Sequence, residues 1–259
     1  MLAVKILKKA TILIPQNFKT VLQLGAVLYL FYGIALLAVN FRYTGKWTLE
    51  ERILNLTNDV HNYADLFSVI IVILFGILIT LWAAVAWHRY VLLNEAPNGW
   101  LPVWNGNAVV SYLRQWIKFL LLASIVVFIS IFILIPMMKA GSASQSPLLA
   151  IFFVIGFEVF LGFLFLRVCL VFPAAAVGQP IGLFDSWDDT KPYAKALIFI
   201  TIVEAVIGSA LRIISDLFGA GLIETIVNSA ADILFALWTL SVITTLYGFI
   251  IEGRSLEGE

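Results

Sequence analysis

Six stretches of the chain are apolar over twenty or more positions: 21–41, 66–93, 110–138, 148–177, 194–217 and 226–251. The runs are continuous, whereas a barrel strand alternates apolar and polar residues over about ten positions. A helix crosses the hydrocarbon of a bilayer in about 20 residues. The pattern therefore predicts an all-α polytopic membrane protein with six transmembrane helices. The third and fourth runs exceed the need, and are expected to tilt or project beyond the lipid. Pro136 and Pro173 fall near span ends, where a proline costs little.

Three further segments are amphipathic at helical spacing and are expected to lie at the interface. In 3–14, Lys5, Lys8 and Lys9 share one face, with Ile6, Leu7, Leu13 and Ile14 opposite. Pro15 and Asn17 then predict a break, so 1–17 reads as an interfacial helix. The second segment, 49–65, belongs to the outer loop 42–65, where Thr48 and Glu51 suit a capping box. The third, 181–190, groups Leu183, Phe184 and Trp187 and turns Asp185 and Asp189 away; it sits in an interfacial connection, 178–193.

Direction follows from the cations. Lys5, Lys8, Lys9, Lys19, Arg89, Arg114, Lys118, Arg167, Lys191, Lys195 and Arg254 fall on one side of this arrangement. Arg42, Lys46, Arg52, Lys139 and Arg212 fall on the other. The side richer in Lys and Arg faces the cytoplasm, so both termini are expected there. Trp82, Trp87, Trp100, Trp104 and Trp116 read as an aromatic belt at the inner headgroup level. One six-helix domain, 1–254, accounts for the chain, and 255–259 reads as an appended tail outside the fold.

Composition agrees. Of 259 residues, 62% are hydrophobic and only 12% charged, with a mean hydropathy of +1.01. That much apolar surface suits lipid rather than water as outer solvent. Sixteen basic and sixteen acidic residues cancel, which leaves no field to attract nucleic acid. A single cysteine, Cys169, precludes an intrachain disulfide.

Catalytic templates fail. There is no His-Glu-x-x-His pair, no Gly-rich phosphate loop and no Gly-x-Ser-x-Gly elbow. His61 and His88 are expected on opposite sides of the membrane and cannot share a metal. Asp185, Asp188 and Asp189 read as a solvated helix face rather than a cation site. No catalytic residue, metal or cofactor is expected.

The ionisable groups inside spans are the more informative ones. Glu158 and Glu204 lie near mid-membrane, and Arg212 and Asp232 at matching depths nearer the outer surface. An unpaired charge at mid-membrane costs about 2.5 to 3.5 kcal/mol. The four are therefore expected to face one another or a wet cavity, with Arg212 and Asp232 pairing across a hairpin of the last two spans. Two functions compete for this cluster. One is a small transporter or channel using the carboxylates with Arg212; the other is a structural pairing within a non-enzymatic protein that organises membrane or assists a partner.

One motif stands out. Arg167 is followed by Phe172-Pro173-Ala174-Ala175-Ala176-Val177-Gly178, then by Gly182-Leu183-Phe184-Asp185-Ser186-Trp187-Asp188-Asp189-Thr190-Lys191. This resembles a signature of bacterial six-span inner-membrane proteins, the YciC-like proteins and the membrane domain attached to some glycerophosphodiester phosphodiesterases. The glycine that typically follows the lysine is Pro192 here. The resemblance implies a six-helix α fold and no particular activity. On physical grounds Arg167 either docks the 181–190 helix, through Asp185, Asp188 or a backbone carbonyl, or binds a lipid phosphate with Lys191 and Lys195. Trp187 belongs to the same patch. The preferred reading is a protein that meets lipid headgroups, a protein partner or a second copy of itself at the cytoplasmic leaflet.

Overall fold

The computed structural model describes residues 1–44, 63–143, 147–218 and 222–257. The described residues form nine α-helices: α1 Leu2–Gln16, α2 Phe18–Thr44, α3 Tyr63–Leu93, α4 Gly106–Ala143, α5 Pro147–Val168, α6 Val171–Ala176, α7 Leu183–Thr190, α8 Ala194–Asp216 and α9 Leu222–Ile250. They contain no strand. Six stretches are long and apolar enough to cross a membrane: Phe18–Val39, Phe67–Leu93, Gly106–Phe132, Ile155–Ala176, Leu183–Ser215 and Val227–Ile250. The protein is thus an all-α, multi-pass membrane protein. Most of the expected outer-loop helix, 49–65, lies outside the described residues.

Burial is concentrated at one end, called the base here, where α1, the end of α3, the start of α4, α6, α7 and the end of α9 meet. The fully buried side chains there include Ile6, Val85, Tyr112, Leu166, Phe172, Leu197 and Leu246. Away from the base the helices open out. Leu120, Leu121, Ile125, Phe128, Ile129 and Phe132 of α4 are all exposed, as suits side chains solvated by lipid.

The fourth apolar run is not one helix. It stops at Val168, turns through Cys169 and Leu170, and resumes as α6. Pro173 is the cause. It has no N–H to offer the Cys169 carbonyl four residues back, and its ring crowds that group. The Cys169 carbonyl accepts from the Phe172 N–H at 3.2 Å instead. Pro173 therefore costs the run its continuity, contrary to the expectation that it is harmless near a span end. Gly178, at φ +84°, ends α6: its N–H donates to Ala175 and that of Gln179 to Ala174, at 3.3 and 2.9 Å. These two bonds make a Schellman motif, whose left-handed position favours glycine.

The amphipathic ends pack differently from the simple interfacial picture. In α1, Ala3, Ile6 and Ala10 are fully buried, chiefly against α9, so the apolar face meets protein. Trp238 donates its indole N–H to Thr11 Oγ1 at 2.9 Å, and Tyr90 its hydroxyl to Asn17 Oδ1 at 2.6 Å. These bonds fix α1 and the corner after it. The helix runs through Pro15 to Gln16, and only Asn17 interrupts it. Trp87 and Trp116 are not belt residues: Trp87 is buried beside Leu24, and Trp116 packs on Phe172 with ring centroids 5.1 Å apart. Trp100 and Trp104 do stand exposed.

Candidate functional site

The motif residues meet at the base, and Arg167 is their hinge point. Its side chain is 3% exposed, near the end of α5. Nη2 donates to the Trp187 carbonyl at 2.6 Å, and the guanidinium lies 4.3 Å from the Trp187 ring centroid. The Arg167 carbonyl accepts from Ser186 Oγ at 3.1 Å and Thr190 Oγ1 at 3.0 Å. Ser186 and Thr190 are one turn apart, so α7 presents a hydroxyl stripe to the end of α5. Proline at 173 and the α5 turn leave free carbonyls at this depth, and the hydroxyls answer one of them. Of the docking routes open to Arg167, the structure uses the backbone carbonyl and the ring, with no ion pair to Asp185 or Asp188. Asp185 instead accepts the Gly182 N–H at 2.9 Å and caps the start of α7.

With its polar stripe turned inward, α7 packs Leu183 against the core and turns Phe184 and Trp187 out. Phe184 is 86% exposed and Trp187 38%. Lys191 and Lys195 follow, both exposed.

Two more arginines close helix ends at the base. Arg89 Nη1 donates to the Ala176 carbonyl at 3.0 Å, and its Nε to Glu95 at 2.7 Å. Arg254 donates to the Val91 and Leu92 carbonyls at 3.2 and 2.5 Å and pairs with Glu252. The last carbonyls of a helix lack partners within it and carry its negative end, so a guanidinium suits them on both counts. Arg89 and Arg254 were assigned only a side of the membrane by the sequence; their capping partners are 87 and about 160 positions away.

The sequence also passed over His88, a fully enclosed polar group in the core. It is fully buried, with Nδ1 2.8 Å from Thr244 Oγ1 and Nε2 3.2 Å from the Tyr112 hydroxyl. Thr244 donates its only proton to the Leu240 carbonyl at 2.6 Å. Its oxygen can then only accept from His88, which puts the ring proton on Nδ1 and leaves Nε2 to accept from Tyr112. The chain of donors is complete, from α4 through α3 to α9.

The four intramembrane charges do not come together. Arg212 and Asp232 are both exposed, and no ion pair joins them among the described residues. Nearby, α8 meets α9 through Gly208 against Phe235. Glu158 and Glu204 are half-buried on adjoining helices. Glu204 Oε1 is enclosed with no hydrogen-bond partner.

Finally, a groove of about 850 Å3 opens on the base between α1 and the segment after α9. Lys5, Lys8, Lys9 and Arg254 line it, and Glu257 bonds Lys5 at 2.6 Å. Lys9 donates to the Ser255 carbonyl. Leu256 packs against the main core cluster, so residues 255–257 lie against the fold rather than apart from it.

No family model matches this chain, and no curated protein or solved structure matches it either.

Proposed function

We propose that the protein is a non-enzymatic accessory component of a bacterial inner membrane, with both termini cytoplasmic, that engages anionic lipid headgroups at its base. The observation that carries this reading is the ring of exposed cations there. Lys5, Lys8, Lys19, Arg114, Lys191 and Lys195 all stand exposed at or near the base. Trp100, Trp104, Phe184 and Trp187 are exposed beside them, in the mixture of rings and cations that suits a headgroup layer. Each Lys or Arg close to an anionic surface adds about 1 kcal/mol of attraction. A transport pathway would draw on Glu158, Glu204, Arg212 and Asp232, which no ion pair joins among the described residues.

Boundary-lipid selectivity tests the reading. The full chain is reconstituted with spin-labelled phosphatidylglycerol or phosphatidylcholine, and the motionally restricted fraction of each is measured. Phosphatidylglycerol is expected in excess at low salt, with the excess shrinking as salt screens the cations. Equal restricted fractions at low salt would refute the proposal.

A further inference from the structure

The groove on the base has more definition than a charged rim. Its volume, about 850 Å3, falls in the range of roughly 300 to 1,000 Å3 typical of small-molecule sites. Lys5, Lys8 and Lys9 recur at three- and four-residue spacing along one wall, and Arg254 stands on the other. Beneath Leu256 lies a smaller chamber of about 130 Å3, shared by Lys9 and Arg254 and lined by Thr245. Thr245 is 6% exposed, and its Oγ1 has no hydrogen-bond partner. A buried hydroxyl without a partner is rare enough to need a reason.

What fills the groove is itself informative. Glu257, a fully exposed carboxylate, sits on Lys5, and the Ser255 carbonyl sits on Lys9. Lys8 has neither a hydrogen bond nor an ion pair among the described residues. Arg254 is paired with Glu252, so the three lysines face one further acid, Glu257, and that acid is held by a solvent-exposed pair of the weak kind. A phosphate offers more charge and more acceptor oxygens to the same lysines. The neighbouring Val4 and Ile12 are exposed and apolar, so a ligand with hydrocarbon tails has somewhere to lay them.

We infer that this groove holds the headgroup of one anionic phospholipid, with residues 255–257 as a displaceable occupant. The phosphate takes the place of the Glu257 carboxylate on Lys5 and of the Ser255 carbonyl on Lys9. Lifting Leu256 opens the inner chamber, where a headgroup oxygen gives Thr245 its missing partner. This deepens the headgroup reading above: the base has one discrete lipid site in addition to a general preference.

Native mass spectrometry of the full chain in detergent, titrated with phosphatidylglycerol, phosphatidylcholine or inorganic phosphate, tests the site. One phosphatidylglycerol per chain is expected to be retained in preference to the other two. Lys5→Gln with Lys9→Gln should weaken that binding about tenfold. Glu257→Gln should tighten it, because the competitor loses its charge. Thr245→Val should weaken it several-fold without lowering the thermal stability of the lipid-free protein, since the hydroxyl bonds nothing there and its burial is only a cost. Unchanged binding in the double lysine variant, weaker binding in Glu257→Gln, or displacement of the lipid by equimolar inorganic phosphate would each overturn the site. The boundary-lipid measurement separates the two readings. A phosphatidylglycerol preference that survives without a retained lipid sinks the site alone, whereas loss of both sinks the headgroup reading as well.

Discussion

Replacing Tyr112 by Phe removes one hydroxyl from the core and little else. The ring keeps its volume and its place 5.4 Å from Phe172. What changes is His88. Its Nε2 loses the only donor within reach, and the imidazole is fully buried, so water cannot replace it. A buried acceptor left bare costs about 1 to 3 kcal/mol. The 3.2 Å separation is long for an O–H donor, which argues for the lower part of that range, about 1 to 1.5 kcal/mol. His88→Phe strands the Tyr112 hydroxyl instead, at a similar cost, while Thr244 keeps its own bond to the Leu240 carbonyl. In the double variant two apolar rings face each other, and only the Trp116 indole, which bonds the Tyr112 hydroxyl, loses a partner.

The double variant still forfeits the bond itself, about 1 kcal/mol, so the cycle should give a coupling of about 1 to 2 kcal/mol, toward the upper end of the values measured between transmembrane helices, which average about 0.6 and reach about 1.7. The assay is reversible unfolding of the four proteins in a single detergent mixture. Strict additivity would refute the bond. The proton's position has its own check: nitrogen NMR of labelled histidine should find His88 protonated at Nδ1, because Thr244 has no second proton to give. A ring protonated at Nε2 would reverse the whole chain of donors.

Other predictions follow from the same contacts. Arg167→Lys should loosen α7 despite keeping the charge, since an ammonium cannot stack on Trp187 as a planar guanidinium does; hydrogen exchange across Leu183–Thr190 should rise. Gly162→Ala should destabilise by about 1 to 3 kcal/mol, because a methyl there would stand 2.5 Å from Thr201 Cγ2. Gly156→Ala, with open space around it, should stabilise by up to about 1 kcal/mol in the same assay. The Glu257 carboxyl is held below its ordinary value, first by its hydrogen bond to Lys5 and then by the lysine's charge. A depressed carboxyl keeps its contact above the ordinary value of about 4.3 and loses it only as pH falls through the lower one. Carbon NMR of Glu257 should follow that titration, and Lys5→Gln should return it toward the ordinary range.

The sequence was legible where lipid imposes a simple rule. Twenty apolar residues in a row mean a span, and each of the six expected runs overlaps one of the observed apolar segments. The short helix α7 was legible too, from its flanking glycine and its amphipathic spacing. The inside of the bundle was not. Helices such as α2 and α5 are apolar on every face, so no stripe says which side is buried. Trp87 therefore passed for a belt residue, and His88 for a lone histidine at a span end. Thr244, its partner, is 156 positions away. Two turns in the reading had a usable signal that was discounted. Pro173 marks a broken helix once the Cys169 carbonyl four residues back is considered. Arg212 and Asp232 match in depth, but depth alone does not fix the angle at which each leaves its helix.

The breaks and the arginines answer each other. Between transmembrane helices there is no hydrophobic force, since lipid chains are as apolar as Leu. Irregular backbone survives at such depths only where protein covers it. The turn at Cys169–Leu170 and the end of α6 at Gly178 both lie at the base, and Cys169, Leu170 and α6 itself are buried. Each interruption frees carbonyls that lipid cannot satisfy. Arg89 takes Ala176, Arg254 takes Val91 and Leu92, and the hydroxyls of α7 take Arg167. Every one of these bonds spans elements far apart in sequence, so none can form until the helices have assembled. The base is therefore the part of the protein whose geometry is specified by direct polar bonds, and the outer half the part that lipid is left to solvate. A surface meant to recognise a particular headgroup needs the first kind of geometry, because a lysine holds a phosphate selectively only when the helix bearing it cannot drift. The bonds of Thr11 and Asn17 to α9 and α3 give α1 that footing, and the lysines that line the groove are on α1.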